Sequence, residues 1–480
     1  MTAYSTFKDR WQDECGVFAV FNLEDAAAHT ILGLHALQHR GQEAAGVVTH
    51  DGVQFNSHKA LGYVTDHFCS EDIASKLKGS ISIGHVRYST TGETALRNVQ
   101  PLFTEMEFGG FAIAHNGNLT NALTLRRQLV SRGSLFQSTT DTEVITHLMA
   151  TSTRRSAVDK MTYALHQIEG AYSLVAMTKD HIIGVRDVLG VRPLVLGQLG
   201  QAWILASETC ALDIIGAQFI RDVAPGEMIV INHQGIQSYH PFVQQVSRFC
   251  IFEYIYFARP DSVIEGKSVY NARKAIGEQL AKEHPVDADV VIPVPDSGVP
   301  AALGYSVQSG IPFELGIIRN HYVGRTFIEP SQTIRNFGVR LKHNTNRLYI
   351  KGKRVVLVDD SIVRGTTSKK IVEMVRAAGA TEVHMRISSP PTTHSCFYGI
   401  DTPERKELLA AYNDIETMAK IVGVDSLAFI SLDGLYQAVG QTSRDPVVPQ
   451  YCDACFTGEY PTHLTDNVQT SDVIQLPLIR

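Results

Sequence analysis

Two adjacent carboxylates, Asp359 and Asp360, follow an apolar run in the stretch RVVLVDDSIVRGTT, residues 354–367. The run at 355–358 is unbroken and mostly β-branched, which is typical of a strand in the middle of a parallel sheet. Open α/β sheets bind their ligands at the carboxyl ends of such strands. The position of the pair therefore predicts a ligand site, and two carboxylates suit the hydroxyls of a diol.

The residues after this pair precede a predicted helix and favour a different ligand group. They supply small hydroxyls, a cation and a glycine: Ser361, Arg364, Gly365, Thr366 and Thr367. Backbone amides and the helix dipole at such a start bind phosphate. The whole segment thus predicts a site with a diol at one end and a phosphate at the other.

A second turn and a long loop extend this prediction. Asp296, Ser297 and Gly298 follow a predicted strand at 290–294. Successive amides in such a turn form an anion nest, although the same residues are also common in turns without a ligand. Residues 319–342 lack helix or strand periodicity, which predicts a loop of the kind that closes over active sites.

Together these segments resemble the type I phosphoribosyltransferase family. The resemblance implies that Asp359 and Asp360 hold the ribose hydroxyls of 5-phosphoribosyl 1-pyrophosphate and that the loop after them takes the 5-phosphate. It also implies that the long loop closes on the sugar substrate. We expect that closure to bring Arg325, Lys342 and Tyr322 near the pyrophosphate.

Magnesium is expected at the same site because the pyrophosphate leaving group carries charge that a divalent cation offsets. Mg²⁺ prefers substrate phosphates together with one or two carboxylates. Ser297, Asp359 and Asp360 are therefore the candidate magnesium ligands. Covalent catalysis is not expected there.

Cys15 stands directly before a predicted strand, in ECGVFAVF. Alone it would be read as a small buried hydrophobe. However, residues 34–46, 84–92, 114–119 and 138–143 together resemble the class II glutamine amidotransferase domain, an N-terminal nucleophile hydrolase. In that family a cysteine at the N-terminus of the mature chain attacks the glutamine amide, and its own α-amine serves as the base.

Four residues have predicted roles in this reaction. Asn116 and Gly117, in HNGN, can offer a side-chain and a backbone amide to the oxyanion of the attacked amide. The resemblance places Arg87 on the α-carboxylate of glutamine and Asp141 on its ammonium. Without it, Arg87 would be read as a surface group and Asp141 as a helix cap, and Asp141 could serve in both ways.

The base requires that Cys15 become the first residue, because an acylated nitrogen is a poor base. We therefore predict removal of residues 1–14, a propeptide, by self-catalysed cleavage as the resemblance implies. If residues 1–14 were instead a permanent arm, His35 or His39 would be the candidate base.

Four further cysteines equal the ligand count of a Cys₄ zinc site or a [4Fe-4S] cluster: Cys250, Cys396, Cys452 and Cys455. Their surroundings resemble those in the cluster-containing amidophosphoribosyltransferase family, so we prefer iron-sulfur to zinc. A structural or oxygen-sensing role follows, since neither half reaction transfers electrons. Cys69 and Cys210 are left as inert thiols.

The composition is that of an ordinary globular chain of 480 residues with a formal net charge of -6. That length predicts two or three domains. The charge balance favours small-molecule partners over nucleic acid or a membrane surface. No apolar run approaches the roughly 20 residues that span a bilayer and no secretory signal is evident, so a cytoplasmic location is predicted.

The elements fall into two groups that differ in rhythm. Up to about residue 239 the strands GVFAVF, ISIGHV, GFAIAH, AYSLVAM and MIVIN accompany helices at 29–42, 121–131, 141–151 and 157–168. From residue 268 a βαβ rhythm follows, which indicates a parallel sheet. It has helices at 269–284 and 367–378, and strands at 290–294, 313–318, 355–358 and 383–387, with Gly379 ending the second helix.

The predicted architecture is an α+β N-terminal nucleophile hydrolase with an αββα sandwich, followed by an α/β parallel-sheet phosphoribosyltransferase domain. The domain ranges are 15–245 and 246–445. Residues 446–480 are predicted to form an irregular surface tail that carries two of the cluster cysteines.

The two halves in this order resemble amidophosphoribosyltransferases, which start de novo purine synthesis by moving ammonia from glutamine to phosphoribosyl pyrophosphate. The resemblance implies a homo-oligomer, with a homotetramer expected, and feedback inhibition by purine nucleotides. Ammonia needs a dry passage, and the aromatic segment 252–257 could line it or simply pack in the core. The alternatives are a non-catalytic phosphoribosyl pyrophosphate sensor with a residual glutaminase domain and, more remotely, a glutaminase that supplies another acceptor.

Overall fold

The computed structural model of the chain describes residues 15–88, 95–320 and 343–467. Its first half contains a seven-stranded antiparallel sheet. In spatial order the strands are β11 (Gln218–Asp222), β9 (Val195–Leu199), β10 (Ala202–Ala206), β1 (Gly16–Phe21), β4 (Ile81–Arg87), β2 (Ala44–His50) and β3 (Phe55–Leu61).

A six-stranded antiparallel sheet packs on the first one. Its strands, in spatial order, are β13 (Gly235–Tyr239), β12 (Met228–Asn232), β8 (Ile182–Arg186), β7 (Gly170–Met177), β6 (Gly109–Leu119) and β5 (Leu102–Met106). Alternate residues of both sheets, such as Val17 and Ala19 of β1 and Ala112 and Ala114 of β6, share one buried cluster. The period of two along each strand puts these side chains on the inner face.

Helices cover the two outer faces. Leu34 of α1 packs on the first sheet, and Leu125 of α4, Val144 of α5 and Met161 of α6 pack on the second. The helices of this half are α1 (Ala26–Ala36), α2 (Val64–His67), α3 (Glu71–Lys76), α4 (Ala122–Ser131), α5 (Thr142–Thr151), α6 (Ala157–Leu165) and α7 (Cys210–Asp213). These layers confirm the predicted αββα sandwich and the five predicted strands.

The second half is built on a parallel sheet, as predicted. Its strands, in spatial order, are β17 (Val290–Pro293), β20 (Arg354–Asp359), β21 (Glu382–Ile387) and β22 (Ser426–Phe429). Helices cover both faces: Ile276 and Ala302 pack on one side, and Ile371 and Met418 pack on the other. The helices are α8 (Val269–Glu283), α9 (Val299–Ser309), α10 (Arg347–Ile350), α11 (Thr366–Ala377), α12 (Ile415–Val422), α13 (Leu432–Ala438) and α14 (Ala454–Thr457).

Short elements complete the second half. A π-helix spans Glu253–Phe257, and β14 (Phe249–Cys250) pairs in parallel with β23 (Tyr451–Cys452). Two further pairs are β15 (Val263–Ile264) with β16 (Lys267–Ser268), and β18 (Ile317–Arg319) with β19 (His343–Thr345). No helix in the described part of the chain is long and apolar enough to cross a membrane.

Three sequence predictions need correction. The helix predicted at 29–42 ends at Ala36, because the chain turns at 37–40 and Gly41 then lies against the backbone of Arg87. The strand predicted at 313–318 is not in the parallel sheet. Phe313 makes only an isolated parallel bridge to Val291 at the sheet edge, because Pro312 has no N–H with which to extend this pairing. β18 pairs with β19 instead.

The third correction concerns the tail. Residues 451–456 were predicted to lie on the surface, but they are buried beside β14 in the main core of the second half. Their apolar content is short and interrupted by polar residues, so the pattern resembled a loop. Pairing with a distant strand supplies the burial.

Candidate active site

Cys15 lies at the point where β1 begins, and Arg87 lies where the neighbouring strand β4 ends. The antiparallel register pairs Gly16 with Val86, so it brings these two ends to the same edge of the sheet. The Cys15 thiol is buried and donates to the carbonyl oxygen of Tyr88 at 3.5 Å. Burial raises the pKa of Cys15 to about 11, although the Tyr88 carbonyl and the charge of Arg87 act to lower it.

Asn116 and Gly117 lie on β6 in the facing sheet. His85 of β4 contacts the carbonyl oxygen of His115 at 3.1 Å, which ties β6 to the strand beside Cys15. The Asn116 side chain is fully buried, and neither its nitrogen nor its oxygen has a partner among the residues described. Gly117 has φ +139°, and a Cβ there would lie 2.0 Å from the carbonyl oxygen of Ala171.

Asp141 occupies the N-cap position of α5, as predicted, but its side chain makes no capping hydrogen bond to that helix. Its Oδ2 instead accepts a hydrogen bond from the N–H of Leu119 at 2.9 Å and lies 3.6 Å from Nδ1 of His115. Burial acts to raise the pKa of Asp141, but His115 and the hydrogen bonds outweigh it, so the pKa lies below its usual value. The carboxylate is near enough to Cys15 to oppose ionisation of the thiol.

The second site forms where β17 and β20 end side by side. Asp359 and Asp360 are buried there, and the N–H of Asp360 donates to Oδ1 of Asp359 at 2.9 Å. The Ser297 hydroxyl donates to one Asp360 oxygen at 2.5 Å, and the Ser361 hydroxyl donates to the other. The structure thus joins the two turns that the sequence predicted as separate parts of one site.

The outer residues of this site are already engaged with one another. Arg319 pairs with Asp296, and Arg364 pairs with Glu407. Gly298 is packed so closely that a Cβ would lie 2.5 Å from the carbonyl oxygen of Val358.

Gly365, with φ +80°, stands directly before α11, and Thr366 and Thr367 occupy the first positions of that helix. They therefore stand at the helix start, where the sequence predicted the phosphate. The predicted residues Tyr322, Arg325 and Lys342 lie outside the described residues.

The four predicted cluster cysteines come together at the junction of the halves. Cys250 and Cys452 lie opposite each other in the register of β14 and β23, and both are free thiols. Burial raises the pKa of Cys455, and the charges of Cys250, Cys396 and Cys452 raise it further. Within the described ranges no three metal-binding side chains are spaced for a single ion.

Comparison with known proteins identifies the family. A glutamine amidotransferase domain family matches residues 85–213, and a phosphoribosyl transferase domain family matches residues 266–388. The amidophosphoribosyltransferase of Rhizobium etli is 60% identical over 95% of this chain and 94% of its own length. That of Bacillus subtilis is 50% identical over 94% of this chain and 95% of its own length. The chain belongs to the amidophosphoribosyltransferase family.

Solved structures agree with this family. Glutamine phosphoribosylpyrophosphate amidotransferase from B. subtilis, complexed with ADP and GMP, has a TM-score of 0.89 and 49% identity, with 94% of this chain and 98% of that chain covered. A second structure, described as the allosteric regulatory enzyme of purine biosynthesis, has the same score and identity over 94% and 97% of the two chains. As an amidophosphoribosyltransferase, the chain is a glycosyltransferase of purine biosynthesis that uses glutamine and phosphoribosyl pyrophosphate.

One feature of this amidophosphoribosyltransferase was missed in the sequence. A buried ionic network, Arg40, Glu208, Glu253 and Arg192, connects the two halves. Arg40 pairs with Glu208 and, at 2.6 Å, with Glu253, which also lies 3.6 Å from Arg192. Burial acts to lower the pKa of Arg40, but the two carboxylates outweigh it and raise the pKa.

The sequence did contain one signal of this network. Glu253 is a charged residue inside the aromatic segment 252–257, and a charge in such a segment indicates a buried partner. Phe252 and Tyr254 of that segment are fully buried and pack in the main core of the second half. These two side chains therefore pack in the core, which is one of the two roles that the sequence predicted for the segment.

Proposed function

We propose that Cys15 attacks the glutamine amide and that the ammonia released displaces pyrophosphate from phosphoribosyl pyrophosphate at the Asp359 site. In the first reaction glutamine and water give glutamate and ammonia through a glutamyl thioester. In the second, ammonia and phosphoribosyl pyrophosphate give 5-phosphoribosylamine and pyrophosphate. The observation that carries the proposal is the buried Asn116 amide without a partner, on the strand tied to the sheet edge where Cys15 meets Arg87.

Each residue of the glutaminase site has a distinct role. Cys15 is the nucleophile, and its α-amine accepts the thiol proton once residues 1–14 are removed, which overcomes the high pKa that burial gives the thiol. Asn116 and Gly117 donate to the oxyanion. Arg87 holds the α-carboxylate of glutamine. Asp141 holds its ammonium and stays ionised at neutral pH because its pKa is lowered.

At the transferase site Asp359 and Asp360 accept hydrogen bonds from the ribose hydroxyls. Asp296, Ser297 and Gly298 bind pyrophosphate, and Arg325 and Lys342 approach it from the long loop. Ser361, Arg364, Gly365, Thr366 and Thr367 bind the 5-phosphate. Ser297, Asp359 and Asp360 form an all-oxygen donor set of the kind that Mg²⁺ prefers, and Mg²⁺ bound there would offset the charge of pyrophosphate.

The coupled reaction is tested with anaerobically purified protein, glutamine and Mg²⁺, with and without phosphoribosyl pyrophosphate. We expect glutamate and pyrophosphate to appear at about equal rates, and only when the sugar substrate is present. Release of glutamate alone, regardless of the sugar, would contradict the proposal and favour the sensor alternative.

Trimming of the chain is tested by the intact mass of active protein. The proposal requires that Cys15 be the first residue. Active protein that still carries Met1 would show that another group is the base, with His35 or His39 as the candidates.

We further propose that Cys250, Cys396, Cys452 and Cys455 hold a [4Fe-4S] cluster with a structural role. Four clustered thiols fit the donor set of such a cluster. We expect Cys455→Ser to lose iron and visible absorption, whereas Cys210→Ser, at another buried thiol, keeps both. Stoichiometric zinc in place of iron would overturn the assignment.

Purine nucleotides are the proposed inhibitors, since the B. subtilis relative is complexed with ADP and GMP. They share the ribose 5-phosphate group with the sugar substrate, so we place one of them at the Asp359 site. Competition between GMP and phosphoribosyl pyrophosphate tests this placement. The protein is further proposed to be a homotetramer, which light scattering tests. Its proposed location is the cytoplasm.

A further inference from the structure

A short segment of the second half, residues 397–399, lies directly against the proposed oxyanion strand β6. The Asn118 side-chain amide donates to the carbonyl oxygen of Phe397 at 3.0 Å. Nε of Arg192 donates to the carbonyl oxygen of Tyr398 at 2.8 Å. Both contacts join residues more than 200 positions apart in the chain, so they form only when the two halves are assembled.

Gly399 is the point of closest approach to Gly117. It has φ +111°, and a Cβ there would lie 2.9 Å from both Cα and the carbonyl carbon of Gly117. On its other side Gly117 is bounded by the backbone of Ala171 and Tyr172. Gly117, whose N–H would donate to the oxyanion, is therefore held between β7 and a segment of the other half.

Small displacements of such a donor are costly in catalysis. Oxyanion donors act only when they lie at hydrogen-bond distance from the developing charge. A misplacement of about 1 Å can lower a rate by about 100-fold. Gly399 cannot accept a side chain without moving Gly117, Gly399 itself or both, since real Cβ atoms do not approach backbone this closely.

We propose that residues 397–399 position the oxyanion hole, with Gly399 as the positioning residue, so that glutamine hydrolysis depends on a segment of the phosphoribosyltransferase half. This inference rests on the proposed role of Gly117. The segment begins next to Cys396, whose Sγ lies 3.3 Å from the backbone nitrogen of Tyr398. Residues 396–399 therefore connect one of the four proposed cluster cysteines directly to the glutaminase site.

Gly399→Ala tests the proposal. We expect the kcat for glutamine-dependent synthesis to fall about 100-fold. The KM for glutamine should change little, because Arg87 and Asp141 are untouched. Synthesis from added ammonia, which needs only the second site, should be unchanged. Gly423→Ala is the matched control, since Gly423 has φ +87° with nothing within 4 Å of an added Cβ, and both activities should persist.

Two results would overturn the inference: undiminished glutamine-dependent activity in Gly399→Ala, or an equal loss of both activities, which would mean general disruption. If Gly399→Ala does not fold, Asn118→Ala decides, because it removes the hydrogen bond to the carbonyl oxygen of Phe397. Retained glutamine-dependent activity in that variant overturns the inference, and a selective loss supports it.

Asn116→Ala separates this inference from the proposed function. If Asn116→Ala loses glutaminase activity while Gly399→Ala keeps it, only the positioning role is wrong. If both keep it, the oxyanion assignment itself is wrong.

Discussion

The Asn116 side chain has a placement that disfavours folding, and in the proposed mechanism the same side chain favours catalysis. Both of its polar atoms are buried without a partner in the described part of the chain. An unsatisfied buried polar group costs about 1–3 kcal/mol of stability. The cost is understandable if the glutamine oxyanion supplies the missing partner.

Asn116→Ala should therefore separate activity from stability. We expect the kcat for glutaminase to fall about 10²–10³-fold, the usual loss for one oxyanion donor. The free energy of unfolding in urea should not fall and should rise by up to about 1–3 kcal/mol, because an unsatisfied amide is removed and no hydrogen bond is lost.

Asn121→Ala is the matched control for Asn116→Ala. Asn121 donates to the carbonyl oxygen of Gln167 at 2.9 Å and accepts from the N–H of Glu169 at 3.0 Å. The Asn121→Ala variant should lose about 1–3 kcal/mol of its free energy of unfolding and keep the glutaminase kcat of the parent. The reverse pattern in the two variants would contradict the oxyanion role.

Asp141 shows what the sequence leaves undecided at a single residue. Its position before a helix was predictable, but the direction of its carboxylate was not. The side chain can bond to its own helix or to a neighbouring strand, and the N–H of Leu119 on β6 decides between them. That choice depends on a contact across 22 positions, which no local pattern contains.

At the scale of elements, Glu143 fixes the loop that leads into α5. Its two oxygens accept hydrogen bonds from the N–H groups of Gln137 and Ser138, each at 2.7 Å, and one also accepts from the Ser138 hydroxyl at 2.6 Å. Burial acts to raise the pKa of Glu143, but these bonds and His147 outweigh it and lower the pKa to about 2. The loop and Asp141 at its end are thereby held together.

Glu143→Gln should destabilise the protein by about 2 kcal/mol at pH 7, since hydrogen bonds to a charged group are lost. The folded-state pKa lies below the unfolded value near 4.5, so the carboxylate stabilises above pH 4.5 and this contribution is lost towards about pH 2. Urea unfolding at pH 7, 5, 4 and 3 should therefore show a shrinking difference from the parent.

The control for this pH series is Glu416→Gln. Glu416 pairs with Lys420 on an exposed helix face, and such pairs contribute about 0–1 kcal/mol. It should show a small difference at every pH. An undiminished Glu143→Gln difference at pH 3 would contradict the lowered pKa.

The elements themselves were largely predictable. Strands such as β1 and β20 are continuous apolar runs, and α11 begins after Gly365 and ends before Gly379, so local signals defined them. The sequence did not predict the burial of residues 451–456. That segment acquires its structure by pairing with β14, about 200 positions earlier in the chain.

At the scale of the whole molecule, the network Arg40, Glu208, Glu253 and Arg192 joins the two halves by buried charges. Glu208 also accepts from His39 at 2.6 Å, the Ser262 hydroxyl at 2.7 Å and the N–H of Arg259 at 2.8 Å. Two cations and two carboxylates are balanced there. Removing one charge leaves the others buried without compensation.

Glu253→Gln should therefore lower the free energy of unfolding by about 3–5 kcal/mol, the usual effect of breaking a buried pair. Because Arg192, which Glu253 contacts, holds Tyr398 in the segment beside Gly117, the kcat for glutamine-dependent synthesis should also fall, whereas synthesis from added ammonia should persist. Asp261→Asn is the control: its pair with Arg259 is largely exposed, so both quantities should stay near those of the parent. An undiminished kcat for glutamine-dependent synthesis in a destabilised Glu253→Gln would limit the network to a stabilising role.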